Sequence, residues 1–420
     1  MRVAVSYNAC TSGAFCAPYP TAGGAMEAGT RLLEEVAERA RLREGGAGVA
    51  AFLRLLYRRS PLRTAELARA LGWPIPVTAA VRGELERAGL LERRPGGSAL
   101  APGARSWVEE TLGLRTREDP LCPLCGGRRI VVDSRWEGLL SRLEEIHRRN
   151  PAVDRALDQS HGMPETALRR ALAMYREGAL EGKEVLLLGD DDLVSVAIGL
   201  LSKELSPQGQ VYRGLVVVDI DERFLAHIGD AAREFSFSVE TLAHDLRQPL
   251  PEALRSRFEA VETDPPYTEA GLRLFLARAL EGLKAGAGWD LFLSFAPRDP
   301  AGQHTLLRVC LELGLAVFSI TPDFNRYAGA ATLAGSSQFL HLRTTEARPE
   351  PLGPYEGPLY TREVRPALRR YRCLGCGRRF VVGPGGEITA IEALKGAGCP
   401  SCGGHRFRAG RLLEGVEEHA

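Results

Sequence analysis

The chain has 420 residues, 45% of them hydrophobic, which is enough for two or three domains with a large core. Its 54 basic and 53 acidic side chains nearly cancel, and this balance argues against a nucleic-acid or membrane partner. No apolar run is long enough to cross a bilayer and no signal peptide precedes the body of the chain, so we expect a cytoplasmic protein. Most basic residues are arginine, a bias of GC-rich coding and, in some families, of thermophiles.

The first quarter of the chain combines a featureless start with a helical domain. Residues 1–25 lack periodicity and carry one charged side chain, Arg2, and we interpret them as a disordered lead or as the product of a wrongly assigned start codon. Three helical stretches and a glycine turn between short strand patterns follow, and they predict a winged helix over residues 26–118. The third helix starts with Val77, Thr78, Ala79 and Ala80, which offer few base-reading side chains. We therefore favour dimerisation or a lid role over DNA binding.

Residues 119–182 are predicted to link this domain to the next. Cys122 and Cys125 form half of a zinc knuckle, and two thiolates alone cannot close a metal site. A polar turn then runs from Asp158 to Thr166 ahead of another helical pattern. Two interpretations stay open for this turn: it closes over a ligand, or Pro164 and Glu165 simply start a helix.

Strand and helix patterns alternate over residues 183–345. Such alternation predicts a doubly wound α/β sheet, here of the methyltransferase-like Rossmann type. The last two strands have no helix between them and are expected to pair antiparallel at one edge. The predicted strands are Val185–Leu188, Leu215–Val218, Ser238–Leu242, Phe258–Glu262, Asp290–Phe295, Leu315–Ile320 and Gln338–Leu342, with helices around Val194, Leu225, Leu254, Leu272 and Leu306.

The C-terminal segment, residues 346–420, carries two Cys-x-x-Cys pairs. Cys373 and Cys376 form the first pair, and Cys399 and Cys402 form the second. Four thiolates at this spacing predict a zinc-ribbon-like fold around one tetrahedral zinc ion. Because four sulfur ligands leave no position for a substrate, we expect the zinc to be structural.

Acidic side chains follow several predicted strands, at the edge where open α/β sheets bind ligands. The first strand ends at Gly189 and is followed by three aspartates, which would repel the carboxylate of S-adenosylmethionine. The ammonium group of the decarboxylated donor would be attracted instead. The residues expected to bind the donor are Gly189, Asp190, Asp219 near the ribose, and His244 with Asp245 near the adenine.

The fourth strand ends in Asp264-Pro265-Pro266-Tyr267. In amino-methyltransferases that act on DNA bases, a motif of this form binds the amine that is to be alkylated. A carboxylate and backbone carbonyls in a rigid proline turn can hold an amine in line with a sulfonium carbon. The motif therefore predicts amine alkylation and leaves the acceptor open.

These motifs together resemble one family. The chain resembles the branched-chain polyamine synthases, also called N(4)-bis(aminopropyl)spermidine synthases. The resemblance rests on three motifs behind an N-terminal winged helix: Gly189-Asp190-Asp191-Asp192, Val216 to Asp221, and Asp264 to Thr268. The resemblance covers roughly Leu32 to Arg343 and implies a homodimer. It also implies that aminopropyl groups pass from decarboxylated S-adenosylmethionine, the co-substrate, to the central nitrogen of spermidine or a related polyamine.

The resemblance suggests roles for the acids of the site. Asp191 or Asp192 is the expected general base, while Asp264, Pro265, Pro266 and Tyr267 are expected to bind the acceptor. Two other functions stay open: a DNA or RNA amino-methyltransferase, and a winged-helix regulator that senses a polyamine. The acidic first turn and the lack of a broad basic path for phosphates count against the methyltransferase.

Overall fold

The computed structural model describes residues 23–119, 121–206, 209–296, 299–328, 335–347, 349–364, 368–382, 387–388 and 391–413. Residues 1–22, which hold most of the predicted disordered lead, lie outside the described residues. The chain divides into two compact units, Met1–Leu67 with Val77–Asp119, and Ala68–Pro76 with Pro120–Ala420. None of the described helices has the length and hydropathy that a membrane span requires.

The N-terminal part of the chain is mostly helical. Apolar residues at helical spacing, among them Val49, Phe52, Leu53 and Leu56, are fully buried and form its core. An antiparallel hairpin follows the helices, and this order matches the predicted winged helix, an assignment that stays a prediction. The elements are α1 (Gly23–Ala40), α2 (Gly45–Arg59), α3 (Thr64–Leu71), α4 (Ile75–Arg87), β1 (Leu91–Arg94), β2 (Gly97–Leu100) and α5 (Ala104–Leu112).

A seven-stranded sheet forms the centre of the second unit. Two helices, α6 (Glu137–His147) and α7 (Pro164–Arg176), precede it. The sheet and its helices are β3 (Glu184–Leu188), α8 (Val194–Leu205), β4 (Gly214–Asp219), α9 (Glu222–Phe235), β5 (Glu240–Ala243), β6 (Ala260–Thr263), α10 (Glu269–Gly282), β7 (Asp290–Phe295), α11 (Pro300–Glu312), β8 (Leu315–Arg326) and β9 (Ser336–Thr344).

The strand order is β5-β4-β3-β6-β7-β9-β8. Strands β3 to β7 are parallel, and β9 runs antiparallel to both β7 and β8. The predicted α/β fold with an antiparallel edge is therefore confirmed. The central strands are nearly all apolar because helices cover both faces of the sheet, and this arrangement brings the ends of β4, β3 and β6 side by side.

The helix expected around Leu254 is wrong. The structure has only a single 3₁₀ turn there, Glu252–Leu254. The turn ends at Arg255, whose ψ of 141° is extended, and Ser256 follows in a left-handed conformation with φ of 51°. The backbone therefore leaves the helix after a single turn.

The C-terminal part holds a small three-stranded antiparallel sheet in the order β11-β10-β12. Phe380, Val382 and Leu394 pack together with Cys373 and Cys399 beneath it. Its elements, with the short helix that precedes them, are α12 (Thr361–Val364), β10 (Leu368–Cys373), β11 (Arg379–Val382), α13 (Ile391–Ala397) and β12 (Phe407–Leu413).

Candidate active site

Three strand ends meet at one edge of the large sheet and bring the predicted acids together. β3 lies between β4 and β6, so the turn after Leu188 is flanked by the end of β4 and the end of β6. Gly189 makes this turn with φ of 75°, a conformation that favours glycine. Asp219 ends β4 and Asp264 follows β6, which places both beside the three aspartates.

Asp190 caps the helix that follows. Its carboxylate accepts the backbone N–H of Val194 at 2.6 Å and that of Ser195 at 3.1 Å. Burial raises its pKa to about 7, although the hydrogen bonds from Ser195 and Val194 lower it. We predicted that Asp190 binds the donor; the structure shows both its side-chain oxygens engaged by α8.

Asp192 is held from two sides. Its Oδ1 accepts the backbone N–H of Gly162 at 2.5 Å, and its Oδ2 lies 2.9 Å from Nη1 of Arg170. Burial raises the pKa of Asp192 to about 7, the guanidinium of Arg170 opposes that rise, and Asp264 adds to it. The position of this carboxyl is therefore fixed by backbone and by charge.

Asp191 lies between these two and is only half-buried. Among the described residues its carboxyl has neither a hydrogen bond nor an ion pair. Burial, followed by the charges of Asp192, Asp219 and Asp264, raises its pKa well above the usual range for an aspartate. Of the three aspartates, Asp191 is thus the one whose carboxyl is available to a substrate.

Arg170 on α7 connects several of these acids and was missed by sequence reasoning. It is fully buried, and its Nη1 lies 3.2 Å from Glu262 and 2.9 Å from Asp192. Its Nη2 donates to Asp264 at 2.8 Å, and its Nε donates to Asn325 at 2.9 Å. Burial alone would lower the pKa of Arg170, but Tyr327 and the neighbouring acids outweigh it. The net pKa is raised well above that of a free arginine, so the guanidinium stays charged.

Glu262 is a second residue that the sequence did not reveal as part of the site. It is 1% exposed, near the end of β6. Burial raises its pKa to about 8, although Arg170 lowers it. Its signal was an acid inside an otherwise apolar buried strand, whereas Arg170 lies on a helix stretch that is buried from Thr166 to Met174 and gives no such contrast.

The Asp-Pro-Pro-Tyr turn joins this network through Tyr327. The hydroxyl of Tyr327 donates to Asp264 at 2.6 Å and receives a hydrogen bond from Tyr267 at 3.1 Å. Pro265 and Pro266 are buried, and the ring of Tyr267 lies edge-on to Phe295. The structure therefore places the expected acceptor residues together, with Tyr327 as an unpredicted member.

The residues expected to bind the donor lie along β4 and β5. Asp219 accepts the backbone N–H of Asp190 at 2.9 Å and that of Asp221 at 2.8 Å, and burial raises its pKa. The ring of His244 contacts the carbonyl of Pro249 at 3.1 Å, and Asp245 accepts the backbone N–H of Arg247 at 2.9 Å. His244 and Asp245 thus have local partners, and their contact with a donor stays a prediction.

The polar turn between Asp158 and Met163 crosses the edge of the site. Gln159 donates to Asp221 at 3.0 Å, and Gly162 bonds Asp192 and forms a β-bridge with Tyr327. Pro164 begins α7. The interpretation that Pro164 starts a helix is therefore confirmed, and the turn packs against the acidic residues; that it closes over a ligand stays a prediction.

The site is rich in carboxyl groups, and among the described residues the cation that pairs with them is Arg170. Burial raises the pKa of several of these carboxyl groups, so the negative charge of the cluster increases as pH rises. Such a cluster favours binding of a cation and disfavours an anion. Six acids form it: Asp190, Asp191, Asp192, Asp219, Glu262 and Asp264.

Comparison with known proteins identifies the family. The model of the branched-chain polyamine synthase A C-terminal domain matches residues 138–350. The N(4)-bis(aminopropyl)spermidine synthase of Thermococcus kodakarensis is 34% identical over 258 residues, 60% of this chain and 70% of the relative. This chain belongs to the branched-chain polyamine synthase family.

Two further relatives extend the match. An uncharacterized protein of Methanocaldococcus jannaschii is 35% identical over 377 residues, 90% of this chain and 92% of that protein. The crystal structure of the Thermus thermophilus branched-chain polyamine synthase, in complex with N4-aminopropylspermidine and 5'-methylthioadenosine, superposes with a TM-score of 0.61 at 26% identity. That match covers 80% of this chain and 98% of the Thermus chain.

This member of the family also carries a cluster of four thiols. The sulfur atoms of Cys373, Cys376, Cys399 and Cys402 all lie within 4.8 Å of one another, and two of the pairs are 3.6 Å apart. Zn–S bonds of about 2.3 Å put the sulfurs of a tetrahedral site about 3.8 Å apart, so the donor set fits zinc. A backbone hydrogen bond from Cys376 helps lower the pKa of Cys373 to about 6, which favours a thiolate. No third metal-binding residue joins Cys122 and Cys125 within the described part of the chain.

Proposed function

We propose that this chain transfers aminopropyl groups from decarboxylated S-adenosylmethionine to the central nitrogen of spermidine. The products are a branched polyamine and methylthioadenosine, so the chain is an aminopropyltransferase, which transfers an alkyl group other than methyl. The observation that carries the proposal is the excess of carboxyl groups at the ends of β3, β4 and β6. This excess attracts the ammonium group of the decarboxylated donor and the polycationic acceptor, and it repels the carboxylate of S-adenosylmethionine.

The acceptor nitrogen must lose a proton before it can attack. An ordinary carboxylate is a weak base for an alkylammonium ion, whose pKa lies near that of lysine at about 10.4. Burial raises the pKa of Asp191 well above the usual range and so narrows this difference. We assign the general base to Asp191, with Asp192 fixed beside it by Gly162 and Arg170.

The transfer step forms one bond and breaks one bond. The deprotonated nitrogen attacks the aminopropyl carbon bound to the sulfonium, and the C–S electron pair returns to sulfur as methylthioadenosine leaves. Asp264 and the proline turn hold the acceptor in line, and Tyr267 offers an aromatic face to its charge. A second transfer to the same nitrogen gives a quaternary ammonium ion.

The remaining groups bind the donor or support the fold. Asp219 is proposed to accept the ribose hydroxyls, with His244 and Asp245 near the adenine and the turn at Gly189 and Asp190 beside the donor. Cys373, Cys376, Cys399 and Cys402 are proposed to hold a structural zinc ion. A cytoplasmic homodimer is the form in which we expect the enzyme to act.

The test is mass spectrometry after incubation with spermidine and decarboxylated S-adenosylmethionine. We expect masses that correspond to one and two added aminopropyl groups, and an unchanged spermidine peak would contradict the proposal. Asp191→Asn is expected to lower turnover far more than Asp192→Asn. Asp230→Asn is the matched control, because it makes the same Asp-to-Asn substitution at an exposed position on α9.

The amino-methyltransferase alternative has its own test. Tritiated methyl transfer from S-adenosylmethionine to duplex DNA or RNA should be absent at every protein concentration. A methyl signal that disappears in Asp264→Asn would replace our assignment, because the same turn would then be alkylating a base.

A further inference from the structure

The C-terminal three-stranded sheet has a face made of arginines. Between Leu368 and Leu413 the sequence holds nine basic and two acidic side chains, whereas the rest of the chain holds 45 basic and 51 acidic ones. The near-zero charge of the whole chain therefore hides a strongly basic segment joined to an acidic remainder. Whole-chain balance was the basis for expecting no nucleic-acid partner, and it does not describe this segment.

The strand register places these arginines on one side. Arg372 on the central strand β10 pairs directly with Arg379 on β11 and with Arg408 on β12. Residues directly opposite each other in a sheet point to the same side, so these three side chains form a row across all three strands. Arg370, two residues from Arg372 along β10, lies on the same side. We call these four residues the arginine face.

The opposite side of the same sheet is the packed side. Cys373 and Phe380 are buried there, with Tyr371 and Phe407 partly buried against them. Arg370, Arg372, Arg379 and Arg408 are all exposed. The alternation along each strand thus sends the apolar residues and Cys373 inward and the arginines outward.

Like charges that face each other across strands destabilise a sheet. Within the described residues, none of the four arginine side chains of this face forms a hydrogen bond or an ion pair. Other exposed arginines of the chain do have a carboxylate partner, as Arg233 has Asp230 and Arg39 has Glu35. A row of unpaired, mutually repelling guanidinium groups is best accounted for by a polyanionic partner that neutralises them.

We propose that the arginine face binds the phosphate backbone of a nucleic-acid duplex. Arginine forks match phosphate oxygens, and a flat sheet can contact several phosphates at once. Single strands are usually held by aromatic side chains that stack on bases, but the aromatic residues of this sheet lie on its packed side. Within the described residues, the apolar side chains beside the face are half-buried Val381 and exposed Leu374, which are fewer than a membrane-inserting surface presents.

The test measures binding of the full-length, zinc-loaded protein to fluorescently labelled 24-base-pair DNA and RNA duplexes by anisotropy. Four phosphate contacts predict a slope of about −3.6 for log K against log salt, or about a 100-fold loss of affinity between 50 and 200 mM. The variant Arg372→Gln with Arg408→Gln should halve the slope, which leaves about a tenfold loss over the same range. Its zinc content and aminopropyl transfer should equal those of the parent.

The matched control removes the same charge elsewhere. The double variant Arg142→Gln with Arg233→Gln changes two exposed arginines outside the C-terminal three-stranded sheet. Its slope of log K against log salt should equal that of the parent protein. An equal slope in the parent and in the Arg372 and Arg408 double variant would overturn the proposal, because the duplex would then contact another surface. Sedimentation with anionic phosphatidylserine vesicles, without binding to either duplex, would overturn it in favour of a membrane.

Discussion

Removal of Arg170 should destabilise the protein in a strongly pH-dependent way. Arg170→Met deletes the guanidinium that lies within 3.2 Å of Asp192, Glu262 and Asp264 and leaves their carboxyl groups buried without a cation. Breaking a buried ion pair by removing one partner costs about 3–5 kcal/mol when the remaining group stays charged. We expect that loss in the free energy of unfolding at pH 9.

At pH 6 the loss should be smaller, because protons can take the place of the missing cation. The pKa of Asp192 is about 7 and that of Glu262 about 8 with Arg170 present, and both pKa values rise further without it. Neutral carboxyl groups then leave only the loss of hydrogen bonds, about 1–2 kcal/mol. The loss in the free energy of unfolding caused by Arg170→Met should therefore be about 2–3 kcal/mol smaller at pH 6 than at pH 9.

The assay is urea unfolding followed by circular dichroism at both pH values. Arg278→Met is the matched control, because Arg278 is also fully buried but donates to the carbonyls of Leu246, Leu352 and Gly353 and pairs with one acid, Glu281, instead of three. Carbonyls do not titrate, so its cost should differ much less between pH 6 and pH 9 than that of Arg170→Met. An equal cost at both pH values for Arg170→Met would refute the electrostatic role, and the neutral variant Arg170→Gln serves the same comparison if the Met variant fails to fold.

Three further predictions concern the site and the ribbon. Gly162→Ala puts a Cβ 2.6 Å from Oδ1 of Asp192 and should lower kcat about 100-fold, whereas Gly138→Ala, whose Cβ meets nothing within 4 Å, should be fully active. The raised pKa values of Asp190, Asp192 and Glu262 mean that the folded apo protein binds extra protons; its free energy of unfolding should fall by about 2 kcal/mol from pH 7 to pH 9, and a rise would contradict these assignments. Atomic emission should find one zinc ion per chain, and Cys376→Ser should lower that content, while unchanged zinc would point to other ligands.

The sheet could be predicted from sequence because its signal is local. Each strand of the Rossmann-like domain is an apolar run with its own boundaries, and the absence of a helix between β8 and β9 was enough to predict an antiparallel edge. The prediction around Leu254 failed because apolar spacing suggested a helix where the backbone turns extended at Arg255 and left-handed at Ser256. Apolar spacing alone does not show where a helix ends.

The site was only partly predictable because some of its members carry no local signal. Asp191, Asp192, Asp219 and Asp264 follow strands, so topology alone brings them together. Arg170 reaches the cluster from a helix that precedes the sheet. In the sequence of that helix, nothing distinguishes Arg170 from an arginine on the surface. Its contacts span 92 and 94 residues of sequence, to Glu262 and Asp264.

An acid after a strand is not by itself a sign of ligand contact. Asp190 was predicted to bind the donor, and its carboxylate caps α8 with both oxygens, so its contact with the donor stays a prediction. A carboxylate one residue after a glycine turn and ahead of a helix has two roles open to it, and the sequence pattern is the same for both. Asp221, at the end of the turn after β4, likewise caps a helix, since it accepts the backbone N–H of Arg223 in α9.

The carboxyl cluster has a consequence for how substrate affinity varies with acidity. Protons on Asp190, Asp192 and Glu262 remove negative charge that would otherwise attract a polyamine, so bound protons weaken polyamine binding. Each polyamine that binds near neutral pH should release protons into solution, and its measured heat of binding should depend on the ionisation heat of the buffer. Polyamine binding would then exchange hydrogen ions for organic cations at the carboxyl cluster.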